Sequence, residues 1–252
     1  MRVLLIIPAY NEQEALGGLL AEIRALPPDD RFTLHPVVVD DGSVDRTAEV
    51  ALAGGARLLR LCRNLGIGGA VQSGLRLAHR EQFDAAVQID GDGQHPPSEL
   101  VRLLEPVQAE RAPDLVVGTR YREREAYPGY KDNFRSTIMR RLGSWWLRVI
   151  LRVVARVEVS DPTSGYRVYG PRALRLFADT YPYDFPEPES LAIARAAGLT
   201  VAEVPVQMRE RQGGTSSIAG LSTIYYMLKV TIAVVLTYMR TIGRAPKPED
   251  TP

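Results

Sequence analysis

Thiols and imidazoles are scarce: the chain has one cysteine, Cys62, and three histidines in 252 residues. A lone cysteine excludes an intramolecular disulfide and a cysteine-built metal site, and it accords with a reducing compartment. Cys62 also lacks a recognisable histidine partner for thiol-nucleophile chemistry. Charge of either sign is not in excess. Thirty-one Lys and Arg against 30 Asp and Glu leave a formal +1, so no global field favours nucleic acid. The opening apolar run, Val3 to Ile7, is shorter than a signal-peptide core and has no cleavage site, so the expected location is the cytoplasm. With 45% hydrophobic and 24% charged residues, the disordered, collagen-like and disulfide-scaffold classes drop out, leaving a chain long enough for one large α/β domain.

What is present is a series of short apolar runs that each end in a polar turn. Val3 to Ile7 is continuous enough to be a strand buried on both faces; Pro8-Ala9-Tyr10-Asn11-Glu12 breaks it, and Leu16, Leu19, Leu20 and Ile23 recur at helical spacing. Pro36 to Val39 ends in Asp40-Asp41-Gly42-Ser43, followed by a helix from Asp45 to Ala53. Strand, turn, helix, strand is a βαβ unit, in which ligands sit beyond the carboxyl ends of the strands. Arg57 to Leu61 is a third strand. After it, Arg63 to Ala70 carries Gly66, Gly68 and Gly69, read either as a closely packed helix start or as a phosphate cradle.

The fourth strand, Ala85 to Ile89, delivers Asp90-Gly91-Asp92-Gly93-Gln94-His95-Pro96-Pro97 to the same sheet edge. Two carboxylates one residue apart supply hard oxygen ligands for Mg²⁺ or Mn²⁺; the plainer alternative is an Asp/Gly turn closing a strand. Pro97 to Ala109 reads as a helix and Leu115 to Tyr121 as a strand, with a long loop from Tyr121 to Asp132.

Arg135 to Val157 is helical, with Arg141, Arg148, Arg152 and Arg156 near one face and Met139, Leu142, Trp146, Val149, Ile150 and Val153 on another. That pattern fits a helix lying in a membrane interface, or a core helix with a solvated basic face. Ser160 to Arg167 is a further turn before a short strand at Val168-Tyr169. Phe185-Pro186-Glu187-Pro188-Glu189 opens a helix with ordinary acidic capping, and Thr200 to Val206 is a last strand. Arg209 to Ser217 forms a basic loop. Ile218 to Ile242 is apolar but interrupted by Lys229, borderline for the roughly 20 predominantly apolar residues of a span; it suits a membrane surface or a second copy of the chain, with a true span as the alternative.

The ordered set Pro8 to Glu12, Asp40 to Ser43, Asp90 to Pro97, Asp161 to Arg167 and Arg211 to Ser216 resembles the family 2 glycosyltransferases, most nearly the dolichyl-phosphate mannose synthase and bacterial polyprenyl-phosphate group. The resemblance covers roughly Met1 to Ile242. It implies an α/β GT-A fold, a Rossmann-like, mostly parallel sheet flanked by helices. It implies a catalytic domain over 1–217, with a nucleotide-sugar half at 1–121 and an acceptor half at 122–217. An apolar interface helix at 218–243 and a disordered tail at 244–252 complete the expected layout.

The implied activity is inverting transfer of a hexose from a GDP-mannose or UDP-glucose type donor to a polyprenyl or dolichyl phosphate, by a peripheral enzyme on the cytoplasmic face of the inner membrane. By the same resemblance Pro8, Tyr10, Glu12, Asp40, Asp41, Gly68, Asp90, Gly91, Asp92 and Arg211 hold the donor. Asp90, Asp92 and Gln94 hold Mg²⁺ or Mn²⁺, and Arg120, Arg140 and Ser144 hold the acceptor phosphate. Asp92, Arg120 and Asp161 are the implied catalytic set, with Asp161 a base should the acceptor be a sugar hydroxyl. The chain departs from the family at Ile67 and at Ser216-Ser217, where a lysine is common, which leaves Arg211 as the main late-loop diphosphate contact. The alternatives are a soluble family 2 enzyme acting on a glycan hydroxyl and a non-catalytic nucleotide-sugar-binding protein. A nucleotidyltransferase would need a Gly-rich basic signature that Pro8 to Glu12 does not offer.

Overall fold

The structure is a computed structural model that describes residues 1–121, 138–209 and 222–242, with the side chains of 138–142 and 222–226 outside that description. Seven strands form one sheet: β1 Arg2–Ala9, β2 Thr33–Asp40, β3 Arg57–Arg60, β4 Ala85–Gln88, β5 Leu115–Thr119, β6 Arg167–Tyr169 and β7 Val201–Pro205. Their order is β3-β2-β1-β4-β6-β5-β7, all parallel pairs except those that β6 makes with β4 and β5. The mostly parallel GT-A sheet expected from the sequence is therefore present.

Both faces of the sheet are covered, which explains the continuous apolar runs. In β1, Val3, Leu5 and Ile7 face one core with helices α1 (Leu16–Arg24) and α2 (Thr47–Ala53) and the short α4 (Leu100–Leu104). Leu4 and Ile6 face the other core, built with α3 (Gly66–Arg80), α5 (Ile138–Ile150), α6 (Pro171–Asp179), α7 (Pro186–Ala196) and α8 (Ser222–Ile242). This alternation is the two-residue period of a strand, and each fully buried aliphatic side chain contributes roughly 1.5–3 kcal/mol.

Three local expectations are revised. Pro8 does not break β1, whose pairing with β2 runs on to Ala9–Asp40. Ile6 C=O accepts from Ile89 N–H and Ala9 C=O from Asp41 N–H, so Pro8, in step with Ile6, turns its missing donor toward β4. Pairing with β4 has ended at Gln88, so no ladder bond is lost there. The helix expected over 97–109 is a short α4 flanked by 3₁₀ turns at Pro97–Glu99 and Glu105–Gln108, because Pro106 cannot donate to the preceding turn.

The third revision concerns the basic helix. α5 runs into a π turn at Leu151–Ala155 and stops at Arg156, which has φ +53°. Leu147, Leu151 and Ala155 face the core, whereas Trp146 and Val153, expected on the apolar face, are 36% and 73% exposed. The π turn widens the last five residues, so the regular helix expected to run on to Val157 ends at Ile150.

α8 is tied down by two side-chain bonds. Trp146 Nε1 donates to Thr231 Oγ1 at 2.9 Å, and Thr237 Oγ1 donates to Glu189 Oε2 at 2.7 Å. Among the described residues no helix is long and apolar enough to cross a membrane. The loop expected over 121–132 lies outside the described residues from 122 on, as do the basic loop from 210 to 217 and the tail at 244–252.

Candidate active site

The turns after β1, β2 and β4 meet at the carboxyl edge of the sheet and are stitched together by short polar side chains. Ser43 Oγ accepts from Asn11 N–H at 3.0 Å and Asn11 Oδ1 accepts from Val44 N–H at 3.0 Å, while Thr47 Oγ1 accepts from Glu12 N–H at 2.9 Å. Asn11 takes the left-handed conformation, φ +56°, which asparagine tolerates better than most residues. Asp41 continues the seam to α3, its two carboxylate oxygens accepting from Leu65 N–H at 2.7 Å and Gly66 N–H at 2.8 Å. Burial pushes the Asp41 carboxyl above its ordinary value, and those two bonds only partly offset it.

The Asp90 turn is braced from beneath. His95 Nδ1 accepts from Asp90 N–H at 3.0 Å, which puts the neutral ring's proton on Nε2. The ring stacks on Tyr166 at 4.7 Å, and Tyr166 O–H donates to Pro96 C=O at 3.1 Å. Gly91 sits where a Cβ would lie 3.0 Å from Pro8 C=O, so the turn presses directly onto the end of β1. Asp92 Oδ1 accepts from Gln94 N–H at 3.0 Å, and Oδ2 accepts from the Gln94 side-chain amide.

A cleft of about 430 Å³ opens over this edge. Pro8, Tyr10, Glu12, Asp41, Asp90, Gly91 and Asp92 from the expected donor set line it, together with Asn64, Gly66, Ile67 and Glu187. Two expected members stand elsewhere. Asp40 is fully buried beneath the cleft, accepting from Ser43 N–H at 2.8 Å and ion-paired with Arg60 at 3.2 Å. Gly68 packs against Pro182 and Tyr183, where a Cβ would lie within 2.4 Å of Pro182 C=O, so in this arrangement it serves helix packing. Arg211 and the side chain of Arg140 lie outside the described residues.

The donor set fits a hard divalent cation. Asp90 and Asp92 line the cleft, and the Gln94 side-chain amide is bonded to the Asp92 carboxylate. Among the described residues no three His, Cys, Asp or Glu side chains converge to hold a metal unaided. Mg²⁺ and Mn²⁺ sites of this kind are completed by phosphate oxygens and water.

Arg120 and Asp161, expected in the catalytic set, are bound to each other. Arg120 Nε lies 2.7 Å from Asp161 Oδ2 and Nη2 lies 2.8 Å from Oδ1, with the aspartate side chain fully buried and the arginine 11% exposed. Glu203 Oε1 anchors the turn that presents Asp161 by accepting from Ser160 N–H at 2.7 Å and Asp161 N–H at 3.1 Å. Ser144, on α5, is buried.

Three further residues were not singled out from the sequence. Glu187, read as a helix cap, lines the cleft; burial and the nearby Asp90 raise its carboxyl above the ordinary value despite Arg167. Arg167 is fully buried under the site and donates to Ser164 C=O, Pro162 C=O and Ser190 Oγ. A charge in the middle of Tyr166-Arg167-Val168-Tyr169 was the available signal, since a buried cation requires partners. Glu203, an acid within the strand Val201–Pro205, carried the same signal.

A mostly parallel sheet whose carboxyl edge carries an oxygen-lined cleft, floored by an Asp-x-Asp turn, is the plan of a GT-A glycosyltransferase. Comparison with known proteins agrees: residues 4–174 match the family model described as glycosyl transferase family 2, and the chain belongs to that family. Among its relatives, the undecaprenyl-phosphate mannosyltransferase of Micrococcus luteus is 35% identical over 87% of this chain and 88% of its own. The polyprenol monophosphomannose synthase of Mycolicibacterium smegmatis is 33% identical over 91% of this chain and 85% of its own. A solved glucosyl-3-phosphoglycerate synthase from Mycobacterium tuberculosis, in complex with Mn²⁺, UDP and glucosyl-3-phosphoglycerate, superposes with a TM-score of 0.67 at 21% identity, covering 98% of this chain and 81% of that one. At that identity the likeness speaks for the fold.

Proposed function

We propose that this glycosyltransferase moves a hexose, with inversion, from a nucleotide-sugar to a polyprenyl phosphate at the cytoplasmic face of a membrane. The observation that carries the reading is the Arg120–Asp161 pair beside the Asp90 turn: the carboxylate nearest the acceptor side is spent on holding a guanidinium. A phosphate monoester is already anionic near neutral pH, so its oxygen attacks the anomeric carbon without a base while the bond to the nucleoside diphosphate breaks. What such an acceptor needs is a cation held in position, which Arg120 supplies and Asp161 orients. The relatives that transfer mannose to undecaprenyl or polyprenol phosphate support the same acceptor class for this chain.

In this reading Tyr10, Glu12 and Asp41 hold the nucleoside end of the donor, and Glu187 accepts a hydroxyl of the sugar. Asp90 and Asp92, with Gln94, hold Mg²⁺ or Mn²⁺, which when bound neutralises charge developing on the departing diphosphate. α5 and α8 bring the enzyme to its acceptor. Trp145, Leu228, Ile232, Leu236 and Met239 are 47–65% exposed on these two helices. Neither helix contains an acid, and Lys229 and Arg240 of α8 add positive charge, as does Arg152 of the π turn, which is paired with Glu158 at 3.3 Å. Apolar and aromatic side chains rimmed by cations suit an anionic lipid surface.

Incubation with labelled GDP-mannose or UDP-glucose, Mn²⁺ and a polyprenyl phosphate, followed by organic extraction, tests the reading. Label is expected in the organic phase for one donor. Label confined to the aqueous phase for every donor overturns it.

Glu187 favours a second reading in one respect, because a cleft carboxylate with a raised pKa is suited to take a proton from a glycan hydroxyl. In that case Glu187→Gln would abolish transfer to a sugar acceptor, whereas with a lipid phosphate it lowers only donor affinity.

A further inference from the structure

On the face of the sheet that packs against α3, α6 and α7, β4 and β6 put polar side chains into an otherwise apolar core. Gln88 lies opposite Arg167 and Ala86 opposite Tyr169 in the antiparallel register, so all four side chains emerge on one face. Gln88 is 1% exposed, Tyr169 is fully buried, and Tyr181, just after α6, is 3% exposed. An apolar side chain at position 88 would fill this face without a partner, whereas a buried amide needs its groups matched.

The hydrogen bonds run in one direction. Gln88 Oε1 carries no hydrogen, so Tyr169 O–H donates to it, at 3.1 Å. That uses the single proton of Tyr169, so in the 3.1 Å contact between the two phenols Tyr181 is the donor. Burial pushes the Tyr169 phenol up to about 12 and that of Tyr181 well above its ordinary value, so both protons stay in place. Tyr169, Phe177 and Tyr181 meet edge to face with ring centres 5.5–6.3 Å apart, which fixes the rings that set this direction. With Oε1 committed, Nε2 faces Asp90 Oδ1 at 3.4 Å. The opposite amide orientation would set Oε1 against a carboxylate, two acceptors with no proton between them.

Gly165 completes the seat. A Cβ there would lie 3.0 Å from Gln88 Nε2 and 3.0 and 3.1 Å from the two Asp90 carboxylate oxygens, so carboxylate and amide both rest against its bare Cα. The Asp90 side chain is still 29% exposed and lines the cleft. The last torsion of an aspartate is otherwise broad, and these contacts narrow it.

We propose that Gln88 is a positioning residue for the Asp90 carboxylate, with Tyr169 fixing which end of the amide faces it. This role rests on the reading of Asp90 as a ligand of the divalent cation, and adds to it a residue from the strand before the turn. A partner behind a metal ligand sets its orientation and is commonly worth roughly ten- to a hundredfold in metal affinity. At 3.4 Å the lower end of that range applies.

Titration of Mn²⁺ into the full chain with GDP or UDP, followed by the electron paramagnetic resonance of free Mn²⁺, reads the effect without turnover. Gln88→Met keeps the length and drops the amide, and should weaken Mn²⁺ roughly tenfold. Tyr169→Phe releases the amide to turn over, and should weaken it about three- to tenfold. Tyr181→Phe removes a buried hydrogen bond of the same cluster but leaves the bond from Tyr169 to Gln88, so Mn²⁺ affinity should change by less than about twofold. In turnover assays excess Mn²⁺ should return Gln88→Met toward the wild-type rate.

Unchanged Mn²⁺ affinity in both Gln88→Met and Tyr169→Phe overturns the proposal. Equal losses in all three variants also overturn it, because they assign the effect to general loosening of the core. A wild type that binds no Mn²⁺ with either nucleotide removes the metal site, and this role with it. Gln88-dependent Mn²⁺ binding by a chain that transfers no sugar to polyprenyl phosphate would overturn the functional reading and leave Gln88 in its role.

Discussion

Arg120 and Asp161 form a two-pronged ion pair, Nε to Oδ2 at 2.7 Å and Nη2 to Oδ1 at 2.8 Å, with Thr163 Oγ1 donating to Asp161 Oδ1 at 3.2 Å. Both carboxylate oxygens are in use. Asp161→Asn should therefore leave a nearly buried guanidinium without its counter-charge and cost about 3–5 kcal/mol of stability, measurable by urea unfolding. Replacing both partners by Arg120→Met and Asp161→Leu should restore much of that stability without restoring transfer. Recovery of activity in the double variant would show that the pair has no part in catalysis.

Asp92→Ala should abolish turnover, because one of the two cleft carboxylates at the metal turn is lost. Chelation of divalent ions by EDTA should do the same to the wild type, with recovery on adding Mg²⁺ or Mn²⁺. Thermal shift provides an independent readout: nucleoside diphosphate with Mn²⁺ should raise the Tm of the wild type and not that of Asp92→Ala.

Glu187 makes a prediction about pH. Burial raises its carboxyl above the ordinary 4.5, so between 4.5 and the folded value the native state holds a proton that the unfolded chain has released. Stability falls as pH rises through that window, and the loss persists above it. Glu187→Gln cannot ionise, so its Tm should exceed that of the wild type at neutral pH, and the advantage should shrink as pH falls through the window and vanish below 4.5. A constant Tm difference across pH would mean that Glu187 does not titrate abnormally.

His95→Phe should keep the stack on Tyr166 but leave Asp90 N–H without its acceptor. A buried unmatched donor costs roughly 1–3 kcal/mol. Loosening of the turn should also lower Mn²⁺ affinity, measured by titration in the presence of a nucleoside diphosphate. Unaltered metal affinity would confine His95 to a packing role.

The exposed apolar surface of α5 and α8 should bind anionic vesicles. Trp145→Ala combined with Leu236→Ser and Met239→Ser should reduce flotation with phosphatidylglycerol liposomes, and uncharged vesicles should bind the wild type less well. A dimer in solution that disappears in the triple variant, with flotation unchanged, would assign this surface to a second copy of the chain.

Much of the fold was legible because α/β order is written in local pattern. Continuous apolar runs such as Val37 to Val39 announce strands buried on both faces, and the polar turns after them fall on one edge because such strands are parallel. Seven of the expected donor residues line the cleft for that reason. Asp40 and Gly68 do not, because neighbours in sequence at a turn can point into the cleft or beneath it, and local pattern carries no sign of which. The regular helix expected over 135–157 gives way at Leu151 to a π turn, a register change without a signature in residue type.

The chain by itself determined the order of strands and helices, the metal-suited turn at Asp90 and the family, because each rests on residues close together in sequence. Only the tertiary structure decided which charges meet. Asp161 lies 41 residues from Arg120, and Arg148 meets Tyr121 across 27. Glu187 enters the cleft from a helix whose own sequence explains it as a cap. Electrostatic interactions act through space at a few ångströms, and contacts such as Arg120–Asp161 arise only when segments distant in sequence pack together.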